Sequence, residues 1–407
     1  MTKFTVVIPT RERADTLYHT LRTCVEQDYE NLSILVSDNC STDNTEEVVR
    51  SFNDKRIRYI KTPQRLSMSA NWDFALDHAD GGFINFIGDD DGLIPGSLSI
   101  TSQIISETNV DAVTSKDMAI YFWPEYVEEL TKGNFYISLK PTYRVMDTQK
   151  FFSKSIESCS YVHLPQLYHG YVKTKVVKDL KEKHGNFFNG SSPDIYAGVV
   201  LGKVLKEHVL SDYPLTIHGL SHHSIGSSNA FKHIDANAAE KFWVENNIPV
   251  HSMLEKSSSL TIIYADAIML AKKYLPEIPE IKIENVLRLA LKEPMNESDP
   301  GRREVLLDVL ERIAAKNNLT GYFNKLKENV RFEKVKPFTM DYGFNPVNEM
   351  LIFKTTDIGL KNVYDAFLLS KNLLHKKVYS LYERPLNDGL LNYFRRGFRG
   401  AVKKIIK

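Results

Sequence analysis

Residues 88 to 92 read Gly-Asp-Asp-Asp-Gly, directly after the apolar run Phe83 to Ile87. Three adjacent carboxylates repel one another, so a solvated turn or a bound cation has to compensate them. Hard oxygen ligands suit Mg²⁺ or Mn²⁺, which bind through a few carboxylates together with substrate phosphates. Asp89, Asp90 and Asp91 are therefore candidate ligands, and the flanking glycines permit close approach of a ligand to the backbone. The competing reading is an acidic turn with Asp91 near a helix N-terminus, where a carboxylate is favoured anyway. Asp38 is a second candidate, in the polar loop Ser37 to Asp43 that follows the apolar run Leu32 to Val36. An aspartate so placed is more commonly a turn former or cap, and Asp43 reads as the cap of the next helix.

These residues need a frame. Phe4 to Ile8, Leu32 to Val36, Ile57 to Ile60 and Phe83 to Ile87 are short apolar runs that read as buried strands. Between them, Leu17, Leu21, Cys24 and Val25, then Val48, Val49 and Phe52, then Met68, Trp72, Ala75, Leu76 and Ala79 recur at helical spacing. This alternation predicts an α/β fold, a mostly parallel sheet flanked by helices. Such sheets bind ligands at the carboxyl ends of their strands, where Asp38 and Asp89 to Asp91 stand. Residues from about 120 to 230 are mixed. From about 236 the pattern turns helical, with segments at Ala238 to Asn246, Leu260 to Tyr274, Ile283 to Leu291, Arg303 to Ala315 and Val363 to Leu374. The expected plan is a catalytic domain over 1–235, an all-helical C-terminal domain over 236–389 and a basic tail over 390–407.

Composition narrows the classes. With 407 residues, 43% hydrophobic and 25% charged, the chain is globular and large enough for two domains. A net charge of +1 gives no sign of a nucleic-acid partner. Three cysteines, Cys24, Cys40 and Cys159, form no even framework and suit a reduced, cytoplasmic setting. The apolar run at the N-terminus is too short for a signal peptide, and Leu260 to Leu275 carries Asp266 and two lysines, which suits a buried helix and not a membrane span.

Three blocks, VVIPTRERADTL, ILVSDNCSTDNT and FINFIGDDDGLIPGSL, together resemble the bacterial glycosyltransferase family 2 type with its GT-A fold. The resemblance covers residues 1 to about 110 strongly, residues to about 230 weakly, and nothing beyond. It implies nucleotide-sugar binding by 1–110 and an acceptor and catalytic part over 111–235. Pro9, Thr10 and Arg11 would hold base and ribose, Asp38 would hydrogen-bond the base, and Asp89 would contact ribose. Asp90 and Asp91 would bind the metal, Mn²⁺ or Mg²⁺, with Asp90 the first choice for direct contact. Many members read Asp-x-Asp-Asp here, whereas Gly88 takes the first acidic position.

The same resemblance implies an inverting transfer from a nucleotide-diphosphate sugar, a UDP-sugar, to an acceptor hydroxyl in bacterial surface polysaccharide synthesis, with a glycan or lipid-linked glycan as acceptor. The cation would stabilise charge on the leaving diphosphate, and a carboxylate would take the acceptor's proton. In NGSSPDIY the best match for that base is Asp194, whose competing role is a helix cap beside Pro193; Asp179 and Asp212 are weaker rivals. Members often complete the metal site with a histidine, and His218, His222 and His223 fall in the matching part, with His222 the candidate ligand. His163 and His169 read as possible lining of the acceptor site.

Two rivals stand beside this reading. A sugar nucleotidyltransferase would carry a Gly-rich phosphate loop after the first strand, and Pro9 to Arg13 contains no glycine. A non-catalytic nucleotide-sugar-binding or scaffold protein of a polysaccharide assembly complex would not need the acidic block or the base. In the tail, Leu391, Phe394, Phe398, Val402 and Ile405 share one helical face, flanked by six cations. That pattern predicts an interfacial helix on an anionic membrane, placing the protein peripherally at the inner face of the cell membrane, against a terminal helix docked on its own domain.

Overall fold

The computed structural model describes residues 1–374 apart from 116–117, 127–132, 162, 223–249, 298, 330–341 and 347–348. The chain begins β1 (Phe4–Thr10), α1 (Ala14–Val25), β2 (Leu32–Asp38), α2 (Thr45–Arg50), β3 (Ile57–Lys61), α3 (Met68–His78) and β4 (Phe83–Phe86). It continues with β5 (Gly92–Leu93), α4 (Ser97–Thr108), β6 (Ala112–Thr114), β7 (Ala119–Phe122), β8 (Asn134–Ser138), β9 (Tyr143–Asp147) and α5 (Thr148–Ser158). Then follow β10 (Gly170–Lys173), α6 (Thr174–His184), α7 (Pro193–Val204), β11 (Glu207–Ser211) and β12 (Thr216–Leu220). The last part holds α8 (Leu260–Lys272), α9 (Ile283–Ala290), α10 (Lys292–Asn296), α11 (Pro300–Lys316), α12 (Thr320–Asn329), β13 (Gly343–Asn345), β14 (Met350–Lys354) and α13 (Val363–Leu374).

The main sheet has the order β3-β2-β1-β4-β10-β6-β11-β9. Its first four strands run parallel, with Phe4 opposite both Leu32 and Phe83, while β10 and β9 are antiparallel to their neighbours. Successive side chains of a strand point to opposite faces, and both faces here are apolar. Val7, Leu35, Ile84 and Phe86 face one core, with Trp72, Ala75 and Leu76 of α3. Val6, Ile8, Ile34 and Val36 face the other, with Leu17, Leu21 and Cys24 of α1. Strands buried on both sides are what continuous Val/Ile/Leu runs build. Pro9, which lacks a donor, sits past the last β1–β4 pair at Val7, and Ile87 donates to the Val7 carbonyl before the chain leaves the sheet.

A second sheet, β13-β14-β8-β7-β12-β5, lies against the α1 side. Its strands β12 and β5 pair antiparallel with Ile217 opposite Gly92, directly after the acidic block. The C-terminal part is helical over 260–329 and 363–374, and it also sends β14 into the second sheet beside β8. Its helices share the core of the first face: α8 packs along α7, with Ile262, Ile268 and Ala271 in the same apolar cluster as Val199 and Val200. Helix α13 packs on α1 from the other side. The segment expected as a helix over 238–246, the boundary expected at about 235, His223 and the tail 390–407 lie outside the described residues. Among the described residues no helix is long and apolar enough to cross a membrane, and the three cysteines are unpaired.

Candidate active site and metal centre

The acidic block leaves the end of β4 and is enclosed, not solvated: Asp89, Asp90 and Asp91 are 2%, 4% and 0% exposed. Protein donors supply the compensation that solvent was expected to give. Asp89 accepts from the Thr10 hydroxyl (2.7 Å) and pairs with Arg13 (3.0 Å), the residue that opens α1. Burial works against the Arg13 charge, but Asp89 and Asp90 more than restore it. From two turns further along α1, the Thr20 hydroxyl donates to the backbone carbonyls of Asp89 and Asp91 (2.9 and 2.7 Å).

Asp90 is held by Ser221, whose hydroxyl donates to Oδ2 at 2.6 Å, and by the Trp123 indole on its carbonyl. Burial and then the like charges of Asp91 and Asp89 push its carboxyl up to about 6. A nearby cation would relieve that repulsion. Asp91 is the centre of the turn. Its Oδ2 accepts from the Gly88 N–H (2.5 Å) and the Tyr168 hydroxyl (2.7 Å) and lies 3.3 Å from His169 Nε2; its Oδ1 accepts from the Gly219 N–H (2.7 Å). Burial alone would raise the Asp91 carboxyl; His169, His218 and Tyr168 outweigh it and hold it well below the ordinary carboxylate range.

Among the described residues, one group of three converges as a metal site would: Asp91, His169 and His218, with ligand atoms within 4.8 Å of one another. The Thr216 hydroxyl meets His169 Nδ1 at 3.0 Å, so that Nε2 is the ring atom turned to Asp91. The arrangement fits a divalent cation: one carboxylate, two imidazoles, and beside them the Asp90 carboxylate; Asp90 Oδ1 and Asp91 Oδ2 each lie 3.0 Å from where a Gly88 Cβ would stand. Imidazole donors suit Mn²⁺ better than Mg²⁺, which keeps to oxygen.

Of the residues expected at the site, Thr10, Asp89, Asp90 and Asp91 come together, with Pro9 beside Thr10 at the end of β1 and Arg11 next after it. His222 does not join the cluster. It is exposed, past the end of β12, while His218 lies within the strand. Asp38, expected to face a base, is 0% exposed, and its two oxygens accept from the Ser41 N–H (2.8 Å) and the Tyr59 hydroxyl (2.6 Å). That geometry fits the turn-forming reading. Asp43 serves both neighbouring helices, accepting from Ala14 of α1 and from Thr45 of α2. Asp194 lies in the first turn of α7, where Ser192 and not Asp194 is the N-cap. Its charge reaches the Tyr168 hydroxyl, which puts it near the acidic turn. The rival carboxylates are occupied elsewhere, Asp179 with Lys175 and Asp212 with Thr142 and Arg144.

Residues 5–156 match the profile described as Glycosyl transferase family 2. Over those residues the chain is similar to that family. A Campylobacter jejuni GalNAc(5)-diNAcBac-PP-undecaprenol beta-1,3-glucosyltransferase is 36% identical over 110 residues, covering 26% of this chain and 36% of that one. The Escherichia coli UDP-Glc:alpha-D-GlcNAc-diphosphoundecaprenol beta-1,3-glucosyltransferase WfaP is 30% identical over 94 residues, 23% of this chain and 38% of its own. The match thus spans little more than a third of either relative. S. aureus TarS 1-349 in complex with UDP-GlcNAc aligns at a TM-score of 0.45 and 15% identity over 83% of this chain and 99% of that chain, too loosely to carry an argument.

The family 2 segment contributes the acidic turn and its α1 supports, but Tyr168, His169, Asp194 and His218 all lie beyond residue 156. Reading the sequence for site residues missed Arg13, Tyr168 and the pairing of His169 with His218. Arg13 stood in the quoted first block, two residues past the nucleotide-binding positions. Nothing local marks Tyr168 or ties His169 to the acidic turn; the bridge between Phe86 and Tyr168 brings them there.

Proposed function

We propose that this protein is an inverting, cation-dependent glycosyltransferase that moves a sugar from a UDP-sugar to a hydroxyl of a lipid-linked glycan in bacterial surface polysaccharide synthesis. The observation that carries the reading is the enclosed Asp89–Asp91 turn at the strand ends of a family 2 segment, with His169 and His218 converging on it. The relatives' names, both undecaprenol-linked glucosyltransferases, motivate the choice of donor and acceptor class.

In this reading Asp91, His169 and His218 hold Mn²⁺ or Mg²⁺, with Asp90 beside them. When bound, the cation offsets the charge that develops on the leaving diphosphate. Pro9, Thr10 and Arg11 border the nucleoside, Asp89 keeps Thr10 and Arg13 in place on its ribose side, and Asp38 shapes the 39–41 turn. Asp194 takes the acceptor's proton as the acceptor oxygen bonds to the anomeric carbon and the carbon–oxygen bond to the diphosphate breaks. Residues 390–407 hold the enzyme on an anionic membrane.

The test is transfer from radiolabelled UDP-sugars to an undecaprenol-linked acceptor, with Mn²⁺, with Mg²⁺ and with EDTA. Transfer that stops in EDTA and returns with Mn²⁺ is expected. Full transfer in EDTA sinks the cation's role, and nucleotide-sugar binding without any transfer favours the scaffold reading. Deleting residues 390–407 should release the protein from anionic vesicles in sedimentation; identical sedimentation would assign the tail to the fold.

A further inference from the structure

Gly88 takes the first acidic position of the resembled pattern, and its surroundings say why. A Cβ built there would meet Asp90 Oδ1 and Asp91 Oδ2 at 3.0 Å each and the Tyr168 hydroxyl at 3.1 Å. Gly88 does not have a positive φ, so glycine is required for space and not for backbone conformation. A longer, charged side chain would be driven into two carboxylates. The room that a residue 88 side chain would take is already filled, by the two carboxylate oxygens and by a tyrosine oxygen.

That oxygen is held tightly in place. Tyr168 bridges to Phe86, and its neighbours close the register: Phe86 donates to the Leu167 carbonyl and His169 to the Phe86 carbonyl, both at 3.0 Å. The ring lies against Trp72 (centroids 5.8 Å apart) and against the His169 ring (4.2 Å). With backbone and ring both fixed, the hydroxyl reaches Asp91 Oδ2 at 2.7 Å, a charge-assisted hydrogen bond.

We infer that Tyr168 is a positioning residue for the cation site: its hydroxyl replaces the missing side chain of residue 88 and fixes the Asp91 carboxylate toward His169 and His218. This rests on the cation reading of the same cluster. Residues that orient a ligand from behind typically change metal affinity by about 10–100-fold when removed. Tyr168→Phe keeps the ring and its packing and deletes only the oxygen. Gly88→Ala keeps the tyrosine and pushes its oxygen away from the carboxylates.

Mn²⁺ binding to the full chain, measured by calorimetry without nucleotide, tests this in four proteins: unmodified, Tyr168→Phe, Gly88→Ala and the double variant, with melting temperature followed in each. Tyr168→Phe should weaken Mn²⁺ binding about tenfold while melting close to the unmodified protein. Gly88→Ala should weaken it as well, and the double variant should be no weaker than Gly88→Ala alone, because both changes act on the same point. Unchanged affinity in Tyr168→Phe, or losses that add in the double variant, overturns the role of the tyrosine while leaving the cation site standing. An unmodified protein that binds no Mn²⁺ removes the cation site itself, and this role with it.

Discussion

Asp91, at the carboxyl ends of the strands, and Asp266, inside the helical layer on α8, are enclosed to nearly the same degree, at 0% and 5% exposure. Asp91 has two backbone N–H groups, a tyrosine hydroxyl and an imidazole around it. Asp266 has the His251 N–H at 2.7 Å and apolar neighbours on its own helix. Burial pushes the Asp266 carboxyl up to about 6 against that one hydrogen bond and Lys273, whereas Asp91 is held below the ordinary range. Enclosure alone therefore does not set whether a carboxylate keeps its charge. The imidazoles and donors placed around it do, and of these two carboxylates only Asp91 has enough of them to keep its charge.

The largest contrast is chemical. Asp91→Asn should eliminate Mn²⁺ binding and transfer to below detection, while Asp266→Asn leaves both near the native level; equal losses would end the distinction between the two sites. Asp194, in the first turn of α7, is next. Asp194→Asn should lower turnover by about 10²–10⁴-fold, the usual contribution of a positioned general base, with donor affinity little changed. A near-native rate would pass the proton to another group.

Stability should respond to pH with opposite slopes. For Asp266 the folded state binds its proton more tightly than the unfolded chain does, so the contribution is present below about pH 4 and is lost as pH rises through about 6. Asp266→Asn should therefore be more stable than the native chain above that pH, by up to about 3 kcal/mol in urea unfolding. For Asp91 the sign reverses: its contribution is present above the ordinary carboxylate range and is lost as pH falls below it. An Asp266→Asn variant less stable than native at pH 8 would show that the His251 contact outweighs burial. The smallest effect concerns a third enclosed carboxylate, Asp38. Asp38→Ala should cost about 1–3 kcal/mol of stability, through the unpaired Ser41 N–H and Tyr59 hydroxyl, and reduce UDP affinity by less than about tenfold. A larger loss of affinity in a variant that melts normally would restore direct contact with the base.

The parts of the fold that depend on local periodicity were legible in the sequence. The four parallel strands and α13, expected and found at Val363–Leu374, follow from apolar runs and helical spacing. The middle of the chain was not legible, because β7 to β12 are only four or five residues long and pair with strands distant in sequence such as β4, β5, β6 and β14. The same limit applies to the site. The acidic block announces itself as three consecutive carboxylates, but whether His218 or His222 faces it depends on where β12 ends and which way its residues alternate. Asp38 looked like a ligand because it closes a strand; that Tyr59 covers it follows only from the pairing of β2 with β3.

Gly219 packs so closely over the acidic turn that a Cβ there would collide with the Asp90 carbonyl. Its N–H and the Ser221 hydroxyl reach Asp91 and Asp90 across 128 and 131 residues of chain. As the protein emerges from the ribosome, the four parallel strands and the acidic block are made before this cover. Contacts so distant in sequence form slowly, since a long loop must close before any of them is gained. A nascent chain halted before Thr216 thus holds three adjacent carboxylates without the donors of β12, on an otherwise nearly complete half-sheet. Docking of β12, which needs the absence of a side chain at Gly219, is the step that brings these donors to the acidic turn.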